Sequence, residues 1–184
     1  MNHINDDIII DRILEGDENQ YKVLIDKYKN YAFTLALNVL NNREDAEEVA
    51  QDSFVKAFKN LKKFNRQAKF STWFYRIVTN TAITRGRKKR VKGIEIDKAF
   101  SLAVSTKEVL EVEDQKYFVR KAISMLSEQD QTVISLFYLQ QLSQEEIAEV
   151  TELKISLIKV KLHRARKRLA DHLKSLLKEE ALNL

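Results

Sequence analysis

The chain has 184 residues, 32 of them basic and 27 acidic, giving a net charge of +5 and a pI near 9.2. It has no cysteine or proline and only three glycines, Gly16, Gly86 and Gly93, which excludes disulfides, thiolate nucleophiles and Cys-based zinc sites and argues for a helical fold over a turn-rich β fold. An apolar fraction of 44% is enough for real cores, and no stretch approaches the roughly 20 apolar residues that a membrane span needs.

The N-terminus, MNHINDDIII, is acidic where a secretion signal is basic. A cytoplasmic protein with no stable membrane insertion is expected. Tyr21, Leu24, Ile25, Tyr28, Ala32, Leu35, Ala36 and Val39 recur at three- and four-residue steps and predict a long amphipathic helix. After NNRED, Ala46, Val49, Ala50, Phe54, Ala57, Phe58 and Leu61 predict a second. NRQAK reads as a polar loop. Ser71 is placed to cap a third helix, TWFYRIVTNTAITR, ending near Gly86.

Residues 91–114 lose this periodicity and read as an acidic, extended linker. Beyond it, Phe118, Ala122, Ile123 and Leu126 suit one helix. Val133, Ile134, Phe137 and Tyr138 suit another, with Ser127 as its cap. Ser143 and Glu146 form an S-x-x-E capping box. Thr151, Glu152 and Leu153 make a short break, and a basic helix starts near Ser156. The expected fold is all-α, with an N-terminal helical domain over 1–90, a linker over 91–114 and a C-terminal helix-turn-helix domain over 115–184.

Charge is segregated along this order. Residues 1–60 hold 12 acidic and 7 basic side chains, residues 61–92 hold 11 basic and no acidic ones, residues 93–152 hold 12 acidic and 5 basic, and residues 153–184 hold 9 basic and 3 acidic. Two basic zones, each behind an acidic one, suit two separate polyanion contacts.

In the last helix, Ile158, Leu162, Ala165 and Leu169 form one apolar seam. The opposite face carries Ser156, Val160, His163, Arg164 and Lys167, with Lys159, Lys161, Arg166 and Arg168 on the flanks. A short helix, a tight break and a basic second helix make a helix-turn-helix. Its second helix suits the major groove, with cations at phosphates and the outer face at base edges. A solvated surface helix, or one that binds a membrane or an apolar groove, has a similar pattern.

The first basic zone, Phe64–Arg90, interleaves aromatics with cations. Trp73, Arg76 and Asn80 share a stripe, NRQAK offers amide and guanidinium groups, and RGRKKR offers a phosphate anchor. Such a surface suits unstacked bases. Phe70, Trp73 and Phe74 equally suit a core.

Together, REDAEEVAQDSFVKAFKNLKKF, FSTWFYRIVTNTA and LSEQDQTVISLFYLQQLSQEEIAEVTELKISLIKVKLHRARKRL closely resemble the bacterial sigma-70 family, and the lack of a domain between them resembles its small extracytoplasmic-function subgroup. The resemblance implies a non-enzymatic factor with no catalytic residue, metal or cofactor of its own. Such a factor binds core RNA polymerase, reads promoter −10 and −35 elements and helps open the duplex. It implies that Asp45, Glu48, Gln51, Asp52 and Phe54 dock on the clamp helices of the largest catalytic subunit. Phe64, Asn65, Arg66, Gln67, Lys69, Ser71, Trp73, Arg76, Asn80, Arg85 and Arg87 would serve the −10 element. Ser156, Lys159, Val160, Lys161, His163, Arg164 and Lys167 would serve the −35 element. It further implies that the C-terminal domain meets the flap of the second catalytic subunit, that the linker threads towards the RNA exit path, and that a membrane-bound anti-sigma factor is a possible partner. The chain departs from the family pattern at the turn, where Glu152 replaces a usual Gly; a positive φ there would strain the backbone. Other departures are Thr151 for a buried Leu, and Lys154 and Val160 for Ser. A free-standing helix-turn-helix repressor or activator has no need of the strand-capture segment, and a helical hydrolase or nuclease would need clustered acids that these spaced helix faces do not supply.

Overall fold

A computed structural model describes residues 5–91 and 110–182. The described residues are helical, with no strand among them. The expected linker falls largely outside them.

The first helix, α1 (Asp6–Leu14), went unpredicted because its apolar run is short. Asn5 caps it by accepting from the Asp7 N–H at 3.1 Å, Asp6 and Asp7 lie in its acidic first turn, and Ile9, Ile10 and Ile13 are buried. The next two helices are α2 (Tyr21–Leu40) and α3 (Arg43–Asn60), and two adjacent asparagines join them. Asn41 ends α2 in the left-handed region at φ 51°, and Asn42 caps α3 by accepting from the Asp45 N–H at 2.9 Å.

Helix α4 (Phe70–Val91) starts one residue before the expected cap and runs five residues past Gly86. That glycine is buried inside the helix, where an added Cβ would meet Leu40 Cδ2 at 3.6 Å. A methyl there would make only an ordinary contact, so the glycine is neither a stop nor a required close approach. Arg85 and Lys89 hold the last turns of α4 on α3.

In the second half, α5 (Leu110–Ser124) begins inside the stretch expected to be linker. Ser127 caps α6 (Glu128–Ile134), as expected. Gln131 is buried, and its Nε2 donates to the Ser124 and Leu126 carbonyls at 3.0 and 2.8 Å, which ties the α5–α6 turn together. A widened π turn over Ser135–Leu139 follows. Helix α7 (Gln144–Thr151) carries the full capping box of Ser143 and Glu146. Helix α8 (Ile155–Leu182) is longer than its apolar seam suggests.

Phe74, with no exposed surface, is the centre of the first half. Its ring lies 4.6 Å from Phe54, 5.9 Å from Phe70 and 6.0 Å from Tyr28, so α2, α3 and α4 close on one aromatic cluster. In the second half Ile134, Leu136, Ile147, Val150, Ile158, Leu162 and Ala165 are buried. The two halves share one continuous core, because α4 packs on α7 and α2 on α6. Phe74→Ala should cost about 3–5 kcal/mol of stability, measured as a lower urea midpoint at unchanged m-value; a loss below about 1 kcal/mol would show that the cluster is not the core of this half.

Candidate nucleic-acid interface

The turn between α7 and α8 is made by Glu152 at φ 59° and ψ 22°, in the left-handed region. The strain expected of a non-glycine residue at this position is therefore present. The turn sets α8 across α7 and α6 with its seam inward: Ile158, Leu162 and Ala165 are buried and Leu169 packs against the core. Ser156, Lys159, Val160, His163, Arg164 and Lys167 are exposed, as the spacing predicts. Val160 is 43% exposed and Leu157, beside it, 42%, so this face carries apolar as well as polar side chains.

The flanks of α8 differ from expectation. Asp130, only 3% exposed, accepts from Arg168 Nη1 at 2.7 Å, and Lys161 Nζ lies 3.8 Å from its other oxygen. Arg166 lies over the rings of Phe137 and Tyr138 at 5.0 and 5.5 Å. Lys161 was expected at DNA but is drawn towards α6, because a buried carboxylate requires a cation. Its place in the sequence, one residue off the outer face, carried no sign of this.

The first basic zone is divided in the same way. Phe64 is buried, 5.8 Å from Phe70 and 5.2 Å from Trp73, so it belongs to the core rather than to a strand-facing surface. Trp73 is half-buried, with one side on that cluster and the other on an open groove of about 430 Å³. The groove is lined by Trp73, Ile77, Asn80 and Thr84 from α4 and by Lys56, Asn60 and Lys63 from the region of α3. An aromatic wall beside two lysines and two asparagines suits a stacked base and its phosphate. Lys56, Asn60 and Lys63 were not singled out from sequence, because only the packing of α3 on α4 brings them to Trp73. Ser71 is half-buried and lines a different groove, with Tyr31 and Tyr75.

The loop before α4 leaves Asn65, Arg66, Gln67 and Lys69 exposed. Among the described residues, five cations of this zone are ion-paired within the chain: Arg66 with Asp11, Lys69 with Glu146 at 2.9 Å, Arg76 with Glu152, Arg85 with Asp45 at 3.1 Å and with Glu48, and Lys89 with Asp45. Burial works against the charge on Glu146, but hydrogen bonds from Lys69 and the Ser143 N–H hold its carboxyl below the usual range. Burial likewise opposes the charge of Arg85, and Asp45 and Glu48 more than offset it, raising its pKa. Asn80 and Arg87 remain exposed.

On α3, Glu48, Gln51 and Asp52 are exposed, and Val55 and Phe58 extend the same exposed side at 51% and 36%. Asp45, 4% exposed, and Phe54, 8% exposed, were expected there and instead face inward. Asp45 pairs with Arg85 and Lys89 of α4. Phe54 lies against Phe74, and its carbonyl accepts from the Tyr21 hydroxyl at 2.6 Å.

Comparison with known proteins follows this division of the chain. The Sigma-70 region 2 family matches residues 24–91, and the Sigma-70 region 4 family matches residues 119–169. The ECF RNA polymerase sigma factor SigW of Bacillus subtilis is 31% identical over 91% of this chain and 96% of its own length. The RNA polymerase sigma-H factor of Pseudomonas aeruginosa is 28% identical over 95% and 96%. Among solved structures, the sigma factor RpoE in complex with the anti-sigma factor NepR from Bartonella quintana matches with a TM-score of 0.70 and 25% identity, over 84% of this chain and 96% of that one.

Asp45→Ala should cost about 2 kcal/mol of stability, since hydrogen bonds to charged groups contribute about 1.5–3 kcal/mol, whereas Asp52→Ala should leave stability within about 0.5 kcal/mol. Thermal melts of the two variants decide this, and equal losses would contradict the inward placement of Asp45.

Proposed function

The chain belongs to the extracytoplasmic-function group of the sigma-70 family and directs promoter-specific transcription initiation with RNA polymerase, and we propose that it does so through two DNA contacts and one docking face on named residues. The observation that carries this assignment is the outer face of α8, where Ser156, Lys159, Val160, His163, Arg164 and Lys167 stand exposed behind a helix-turn-helix turn.

Lys159 and Lys167 meet phosphates of the −35 element, His163 and Arg164 donate to purine acceptors, and Val160 touches a thymine methyl. The loop at 65–69 and the groove beside Trp73, with Arg76, Asn80 and Arg87, hold the opened strand of the −10 element. Trp73 offers a stacking face for one base, a contact worth about 1–3 kcal/mol. Lys69 and Arg76 reach that strand by exchanging Glu146 and Glu152 for phosphate. Such exposed pairs are worth about 0–1 kcal/mol each, so the polyanion competes well. Glu48, Gln51 and Asp52, with Val55 and Phe58 beside them, form the acidic and apolar face that docks on the clamp helices of the largest polymerase subunit. The C-terminal half meets the flap of the second catalytic subunit. The chemistry of RNA synthesis belongs to the polymerase, and the factor works in the cytoplasm; no helix among the described residues is long and apolar enough to cross a membrane. An anti-sigma factor is a further partner, as the RpoE–NepR complex suggests by analogy.

Run-off transcription with purified core enzyme on a genomic promoter library is the direct test. Specific transcripts are expected, and none from any template would reject the assignment. Arg164→Ala should lower promoter-specific initiation by about tenfold, the lower part of the roughly 1–3 kcal/mol range of a good base contact, with core binding unchanged. An equal loss on scrambled distal DNA would contradict base reading. Asp52→Arg should abolish core binding in a pull-down while the far-ultraviolet spectrum stays intact; unchanged affinity would remove α3 from the docking face.

A further inference from the structure

We propose that α1 is part of the strand-capture site: Asp11 braces Arg66, which acts as a positioning residue for the loop at 65–69 and leaves Asn65 and Gln67 to face the opened strand. This rests on the strand-capture role proposed above for that loop.

Helix α1 lies outside the residues matched by the region 2 family, which begin at 24. It is nonetheless fixed to the same half of the molecule. Ile9, Ile10 and Ile13 are buried in its core, and Asp6 accepts from Lys27 Nζ at 2.6 Å and from the Tyr28 hydroxyl. The exposed Asp11 is therefore a carboxylate on a rigid support. Arg66 engages it through both terminal nitrogens, Nη2 to Oδ1 and Nη1 to Oδ2 at 3.4 Å. Such a two-point contact fixes the orientation of the guanidinium as well as its distance.

The loop needs this support. Arg66 stands at φ 58°, in the left-handed region that a side chain with a Cβ adopts at a cost. Beside it, the Asn65 side-chain oxygen accepts from the Gln67 N–H at 3.2 Å, forming a local turn. The turn and the ion pair together over-determine a conformation that the backbone alone disfavours.

Location of the partners separates Arg66 from its neighbours. Lys69 and Arg76 pair with Glu146 and Glu152, on α7 and its turn, in the other half of the chain. Those pairs would be lost if the halves separated. Arg66 pairs with α1, which travels with the loop, so its partner stays. A cation whose counter-ion moves with it shapes the site, whereas a cation whose counter-ion can leave is free for phosphate. The carboxyl of Asp11 is held below the usual range by the Arg66 hydrogen bond, in keeping with a standing pair.

The test is a charge swap, read in full-length protein with core enzyme on a promoter recovered by run-off selection, with 2-aminopurine at an opened base. Asp11→Arg and Arg66→Asp should each lower promoter opening by about three- to fivefold, the scale of one exposed pair. The double swap should restore it to within twofold, with core binding unchanged throughout. Amide exchange at Gln67 and Ala68 should quicken in each single variant and recover in the swap. A swap as impaired as Arg66→Asp alone would mean that Arg66 itself touches DNA and would overturn the brace. So would single variants that change neither opening nor loop exchange. Wild-type protein that opens no promoter would sink the strand-capture assignment, and amide exchange would then decide the brace by itself.

Discussion

Two carboxylates cut off from water set which way the basic helices face. Asp45 and Asp130 occupy the same position in their helices, the third residue after a capping side chain, Asn42 in one case and Ser127 in the other. Both are nearly fully buried. Removing a carboxylate from water costs several kcal/mol unless a cation meets it. Each therefore recruits two cations from a neighbouring helix: Arg85 and Lys89 of α4, and Arg168 and Lys161 of α8. With those cations tied to the carboxylates, helical periodicity decides the rest. Arg164, His163 and Lys167 turn out on α8, and Arg76, Asn80 and Arg87 turn out on α4. The same device, used once in each half, thus divides an undifferentiated basic zone into structural cations and cations available to a nucleic acid.

This division also explains what was legible in the sequence. Features held by neighbours along the chain were readable: the capping box at Ser143, the cap at Ser127, the seam of Ile158, Leu162 and Ala165, and the exposed face of α8. Their physics lies within one or two helical turns. Features set by a distant partner were not. Asp45 has the sequence context of a surface acid, and only the approach of α4 makes it a buried one. Gly86 resembles a helix stop, yet it lies buried within α4 beside Leu40. Phe64 sits in a polar loop by sequence, yet Phe70 and Trp73 enclose it. The pairing of Asp11 with Arg66 spans 55 residues and leaves no periodic trace.

Between the two halves the balance is of another kind. The pairs Lys69–Glu146 and Arg76–Glu152 carry exposed cations, so salt screens them and each contributes little. The apolar part of the same seam is continuous, since α4 packs on α7 and α2 on α6 in one core, with Ile83 and Leu153 packed partly buried against it. The joint between the halves therefore rests on apolar packing, while the ion pairs across it leave their cations exchangeable with phosphate. By contrast, the pairs at Asp45 and Asp130 each lie within one half and have nearly buried carboxylates.

Glu152 joins these two scales. Its backbone holds the left-handed turn that a glycine would adopt without strain. Its carboxylate, however, reaches Arg76, which a glycine could not do. The residue therefore lowers the intrinsic stability of the helix-turn-helix while adding an attraction between that unit and α4. The strain is present whether the halves are together or apart, whereas the attraction exists only when they are together. A side chain at this turn thus ties the helix-turn-helix to α4 at the expense of the turn itself. That tie is strongest at low ionic strength and weakens as salt screens the exposed pair.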